Sequence, residues 1–109
     1  MDITIDNKTY TIKYGFRALM IYERLTDESF TAANLNQIIT FMYACLAASD
    51  IEFTMTFDDF LSWLDDNPTV LSDFSQWLIS QFKRDENLSN DKSDKSDNKK
   101  SVSKKKIKK

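Results

Sequence analysis

Leu35-Asn36-Gln37-Ile38-Ile39-Thr40-Phe41-Met42-Tyr43-Ala44-Cys45-Leu46 carries the clearest helical pattern in the chain. Leu35, Ile38, Ile39, Met42, Cys45 and Leu46 stand at relative positions 0, 3, 4, 7, 10 and 11, the spacing of one helix face. Phe41 and Tyr43 fall off that stripe, so the helix is apolar around much of its circumference and is expected to be central. Cys45 is the only cysteine. In so apolar a run it reads as a small buried hydrophobe, and the lack of disulfide partners suits a reducing compartment.

Working toward the N-terminus, Thr26-Asp27-Glu28-Ser29 is a polar break, and Thr31 is available to cap the central helix. Before the break, Ala18, Ile21, Tyr22 and Leu25 form an apolar stripe that Phe16, Leu19 and Met20 widen, while Arg17 and Arg24 mark the wet side. This predicts a short amphipathic helix over 16–25. Gly15, the only glycine, sits where extended chain becomes helix, and a missing Cβ eases a change of direction there. Earlier still, Ile3 and Ile5 alternate with Asp2, Thr4 and Asp6. Tyr10, Ile12 and Tyr14 alternate with Thr9, Thr11 and Lys13. Period-two runs joined by Asp6-Asn7-Lys8 predict a β-hairpin with one apolar face, which needs something to pack on.

Toward the C-terminus, Ser49 to Met55 is a connection, and Thr56-Phe57-Asp58-Asp59 resembles a capping box with Asp at its last position. Phe57, Phe60, Leu61 and Leu64 give a third helix, ended by Asp65-Asp66-Asn67-Pro68. Pro68 fits the first position of a fourth helix with Asn67 as its cap. Val70, Leu71, Phe74, Trp77, Leu78 and Phe82 supply its stripe. The fold class is therefore α+β: an N-terminal β-hairpin packed on a small bundle of about four α-helices.

Composition changes at Asp85. Residues 1–84 carry 12 acidic and 6 basic residues, and residues 85–109 carry 5 acidic residues and 9 lysines. The second segment has too little apolar surface to offset its ordering entropy, so it reads as a disordered tail behind a domain of residues 1–84. Its lysines, Lys99, Lys100, Lys104, Lys105, Lys106, Lys108 and Lys109, offer an electrostatic contact. No aromatic residue interleaves them, which weighs against single-stranded nucleic acid as the partner. The longest apolar run, Ile38 to Ala48, is too short for a membrane span, and the acidic start is no signal peptide.

The chain has no histidine, one cysteine and one glycine. Ser/His and Cys/His nucleophile pairs, His- or Cys-rich metal sites and glycine-rich phosphate loops are therefore excluded, and no cofactor is expected. Asp58/Asp59 and Asp65/Asp66 read as solvated helix-end charges, because adjacent helical residues do not face each other. What stands out is the aromatic content of residues 1–84: 4 Tyr, 8 Phe and 2 Trp. Phe41, Tyr43, Phe53, Met55, Trp63, Trp77 and Phe82 lie off the stripes, in connections or late in the last helix, and form a candidate client-binding surface. An interface of this kind implies self-association or a client protein.

The order of features resembles a known family. After the hairpin come Tyr14-Gly15-Phe16, an apolar helix ending in Glu23-Arg24-Leu25-Thr26, and a short turn closing on Ser29-Phe30. A long helix with Tyr43-Ala44 follows, then Thr56-Phe57-Asp58-Asp59-Phe60 with Trp63-Leu64. Together these resemble the tail assembly chaperones of long-tailed bacteriophages and prophages over Ile3 to Phe82. Relatives often carry a glycine after the threonine where this chain has Asp27. The resemblance implies a non-enzymatic protein of the host cytoplasm, absent from the finished virion. Such a protein binds the tape measure protein and promotes assembly of the tail tube around it. It also implies a longer form, made by ribosomal frameshifting, whose extension recruits the tail tube protein. The other class compatible with the residues is a small cytosolic adaptor or regulator whose basic tail touches nucleic acid.

Overall fold

The polypeptide places a two-stranded hairpin in front of four helices. The computed structural model describes the backbone of residues 1–93 and the side chains of residues 1–84. Strands β1 (Asp2–Ile5) and β2 (Lys8–Thr11) pair antiparallel with Ile3 opposite Tyr10 and Ile5 opposite Lys8. Asp6 and Asn7 both take positive φ, 51° and 69°, which is the two-residue turn whose twist matches that of the strands. Lys8 thus belongs to β2 rather than to the turn. Ile3, Ile5 and Ile12 are buried on one face. On the other, the Thr4 and Thr9 hydroxyls meet at 2.9 Å and the Thr11 hydroxyl donates to Asp2 Oδ1 at 2.8 Å.

Helix α1 (Phe16–Thr26) packs on α2 (Leu35–Ser49), which also lies against β2. Gly15 precedes α1 with φ −157°, an extended conformation open to any residue, and a Cβ there would meet nothing within 4 Å. The expectation that Gly15 eases a sharp turn is therefore corrected: neither backbone nor space demands glycine. No side chain caps α1. Gly15→Ser is expected to stabilise the protein by roughly 0.5–1 kcal/mol, through a new cap and a less flexible unfolded chain. Urea titration followed by circular dichroism checks this, and a lower midpoint would count against it. At the other end Asp27 is left-handed, φ 61°, and its N–H donates to Glu23 O at 2.7 Å. That is the conformation for which glycine is the usual helix stop.

Thr31 does not cap α2. Asn34 does, its Oδ1 accepting from Gln37 N at 2.9 Å. The Gln37 carboxamide oxygen reaches back to accept from Thr31 N, Thr31 Oγ1 and Ala33 N at 3.0–3.1 Å. Gln37 thereby ties the loop in which Ala32 is held at φ 56° to the first turn of α2.

Helix α3 (Phe57–Asp66) is capped by Thr56, whose Oγ1 accepts from Asp59 N at 3.1 Å, as its sequence predicts. Asn67 separates it from α4 (Pro68–Ser93). The Asn67 side chain donates back to Trp63 O at 2.8 Å, which closes α3, while its carbonyl accepts from Val70 N at 3.1 Å at the start of α4. Helix α4 runs past Arg84, because adding a residue to a formed helix requires only a backbone bond and not a buried side chain. The change of composition at Asp85 is thus not a helix end. The chain divides into two compact units, Met1–Trp77 and Leu78–Lys109, and the architecture described above is that of the first. Most of the stretch expected to be a tail, including all seven named lysines, lies outside the described residues. No helix among the described residues is long and apolar enough to cross a membrane.

Candidate interaction surface

The core of the first unit is built from rings. Phe41, on α2, is fully buried. Phe30 stacks on it with centroids 4.1 Å apart and planes 13° from parallel. Tyr22 and Tyr14 meet it edge-on at 6.2 and 5.9 Å, and Phe74 at 6.4 Å carries the group on to Trp77. Tyr43 centres a second group. It touches Phe53, Phe57 and Phe60 at 5.3–5.6 Å, with Tyr10 beyond Phe53 and Trp63 stacked on Phe60. The Tyr43 hydroxyl donates to Met55 O, which ties the α2–α3 connection to α2. Edge-to-face and offset pairs of this kind add to simple area burial.

These contacts correct the candidate client surface. Phe41 has no exposed area and cannot touch a client. Tyr43, Phe53, Met55, Trp63 and Trp77 are half-buried; Tyr43, Phe53 and Trp63 belong to the second ring group, Met55 accepts the Tyr43 bond and Trp77 belongs to the first group. Phe82, in the second unit, is exposed. Every aromatic residue from Tyr10 to Trp77 except Phe16 belongs to one of the two groups; Tyr22, Phe41, Phe60 and Phe74 are buried and the other eight are half-buried. A small domain hides many rings by packing them on one another rather than on aliphatic side chains.

The apolar residues that face solvent are different ones. Phe16 is 85% exposed, Met20 53% and Leu25 53%, all on α1, with Leu35 and Ile51 exposed elsewhere in the first unit. Only Ala18 and Tyr22 of α1 are buried. Sequence reasoning placed Phe16 and Met20 on the buried stripe. Apolar residues ring most of α1, far more than one stripe of about 100° can hold, and that excess is the signal that some must be left outside. Phe16 and Met20 stand one turn apart on the same face as Arg24, with Arg17 beside them.

Two hollows run along α1. One, of about 400 Å³, is lined by Lys13, Phe16, Arg17 and Ala18 of the entry to α1 and by Cys45, Ala48 and Ser49 of α2. The next, of about 440 Å³, is lined by Arg17, Met20, Ile21 and Arg24. They share Arg17. Among the described residues Lys13, Arg17 and Arg24 make no ion pair; Lys8 is paired with Asp50 at 2.6 Å. That pairing holds the Lys8 ammonium above its ordinary range and the Asp50 carboxyl below its own. The four aspartates of α3, Asp58, Asp59, Asp65 and Asp66, are exposed.

Cys45 contributes little chemistry. Burial pushes its thiol up to about 12, so it is protonated and unreactive near neutrality. The chain matches no known family model, no curated protein and no solved structure.

Proposed function

We propose that this chain is a non-enzymatic tail assembly chaperone of the long-tailed phage type, acting in the host cytoplasm on the tape measure protein. The observation that carries this reading is the unpartnered apolar face of α1, with Phe16 and Met20 exposed one turn apart on a body whose other rings from Tyr10 to Trp77 pack against one another. Single exposed apolar residues are ordinary; two of them one turn apart beside open hollows support a protein-binding surface. The succession of hairpin, short helix, long helix, Thr-capped helix and final helix is also the order on which the resemblance rests. Within this reading a longer, frameshifted form recruits the tail tube protein through its added segment.

Co-expression with a long-tailed phage tape measure protein is the direct test. The expected result is that the tape measure protein, insoluble alone, enters the soluble fraction and co-purifies with this chain. A tape measure protein equally insoluble with and without it would sink the assignment.

A further inference from the structure

We infer that the outer face of α1, from Lys13 to Arg24, is a docking site for one amphipathic helix of a partner protein whose apolar stripe is flanked by carboxylates. This deepens the chaperone reading and rests on it only for the identity of the natural partner.

Phe16 and Met20 supply two apolar knobs spaced by one helical turn, and the two hollows beside them follow the side of α1. A helix laid in a shallow groove and anchored at such intervals is a recurring mode of recognition. Charge selects which helix. Residues 1–84 hold 12 acidic and only 6 basic residues, yet Lys13, Arg17 and Arg24 all line or border these hollows and none pairs with a carboxylate among the described residues. On an acidic body, three unspent cations around an apolar pair make an acidic partner attractive, while the rest of the surface repels one.

A second copy fits less well. Two α1 faces packed antiparallel set Arg17 against Arg24 of the other copy. The acidic outer face of α3, the other possible counterpart, offers Asp58, Asp59, Ser62, Asp65 and Asp66, all exposed, and no apolar side chain to cover Phe16 or Met20. A nucleic acid satisfies the cations but leaves Met20 and Ile21 in water.

The test uses the full chain and a fluorescein-labelled synthetic peptide of about 18 residues, long enough to form helix, with leucines at helical spacing flanked by glutamates. A counterpart carries lysines in place of the glutamates. Fluorescence anisotropy is expected to show the acidic peptide binding about tenfold or more tighter than the basic one. Phe16→Ser with Met20→Ser should abolish most of that binding while leaving the circular dichroism spectrum and Tm unchanged, since both residues are exposed. Arg17→Glu with Arg24→Glu should reverse the preference. Four results overturn the inference: no binding or equal binding of the two peptides; binding insensitive to the serine pair; a concentration-dependent dimer in sedimentation that the serine pair abolishes, which makes a second copy the occupant; or tighter binding of a single-stranded oligonucleotide that the arginine reversal removes. If the peptide fails while the tape measure protein is still solubilised, the chaperone reading stands and its contact lies elsewhere. If the peptide binds and solubilisation fails, the docking site stands without that client.

Discussion

Phe41→Ala is expected to cost about 3–5 kcal/mol of folding stability, enough to leave the protein largely unfolded at 37 °C. A domain of this size has about 5–15 kcal/mol to lose, and the lower part of that range suits a body without disulfides. Phe41 has no exposed area and is held by Phe30, Tyr22, Tyr14 and Phe74, which come from the α1–α2 loop, α1, the segment after the hairpin and α4. Truncation removes one partner from every one of those contacts at once, and the facing rings are too rigid to collapse into the space. Phe16→Ala is the matched comparison, another phenylalanine replaced but 85% exposed, with an expected change within about 0.5 kcal/mol. Urea denaturation of the two variants measures both. A loss below about 1 kcal/mol for Phe41→Ala would place Phe41 outside the core and restore it as a surface residue.

The contrast between these two phenylalanines explains what could and could not be read from the residues alone. Hairpin, helix positions and the Thr56 cap follow from local rules, period two against period 3.6 and a hydroxyl three residues before the N–H it accepts. These need no knowledge of the neighbours. Which side of a helix is buried is a different question, and the stripes of α1 and α2 answered it only in part: Ala18, Tyr22, Met42, Cys45 and Leu46 are buried as expected, whereas Leu25 and Leu35 are exposed. Helix α2 is packed on several sides, so Thr40, Phe41, Met42, Ala44, Cys45 and Leu46 are all buried, while Leu35, the first residue of its apparent stripe, is 62% exposed. A stripe assumes one buried face. Helix α1 carries apolar residues nearly all round, and its own pattern cannot say that the Phe16 and Met20 side is the one left out. The cap of α2 was missed for a related reason. Gln37 draws three donors from the preceding loop, and that arrangement depends on the loop's path through the left-handed Ala32, which no local rule anticipates.

Alkaline pH is expected to destabilise the protein, with the loss beginning near pH 9. The Cys45 thiol has an ordinary value of 9.0 and is pushed up to about 12 by burial. Burial likewise raises the phenols of Tyr22 and Tyr43. In each case the folded protein holds the proton more tightly than the unfolded chain does, so above pH 9 the unfolded state binds fewer protons and stability falls as pH rises. For Cys45 the contribution is fully present below pH 9 and is lost at about 1.4 kcal/mol per pH unit until about pH 12. Over the whole window that is of the order of 4 kcal/mol, comparable with the Phe41→Ala loss. Urea midpoints measured between pH 7 and 11 for the wild type and for Cys45→Ala separate the thiol from the phenols. The alanine variant should start less stable by about 1 kcal/mol, from the space left by the sulfur, and should then lose less as pH rises, so that the two curves converge and cross. Parallel curves would show that Cys45 does not titrate abnormally. A thiol-specific reagent gives the independent check at pH 8. A buried neutral thiol reacts no faster than the protein opens, so labelling should stay slow in buffer and become immediate in urea. Rapid labelling of the folded protein would put Cys45 within reach of solvent, through the hollow that it helps to line beside Ala18 and Ala48.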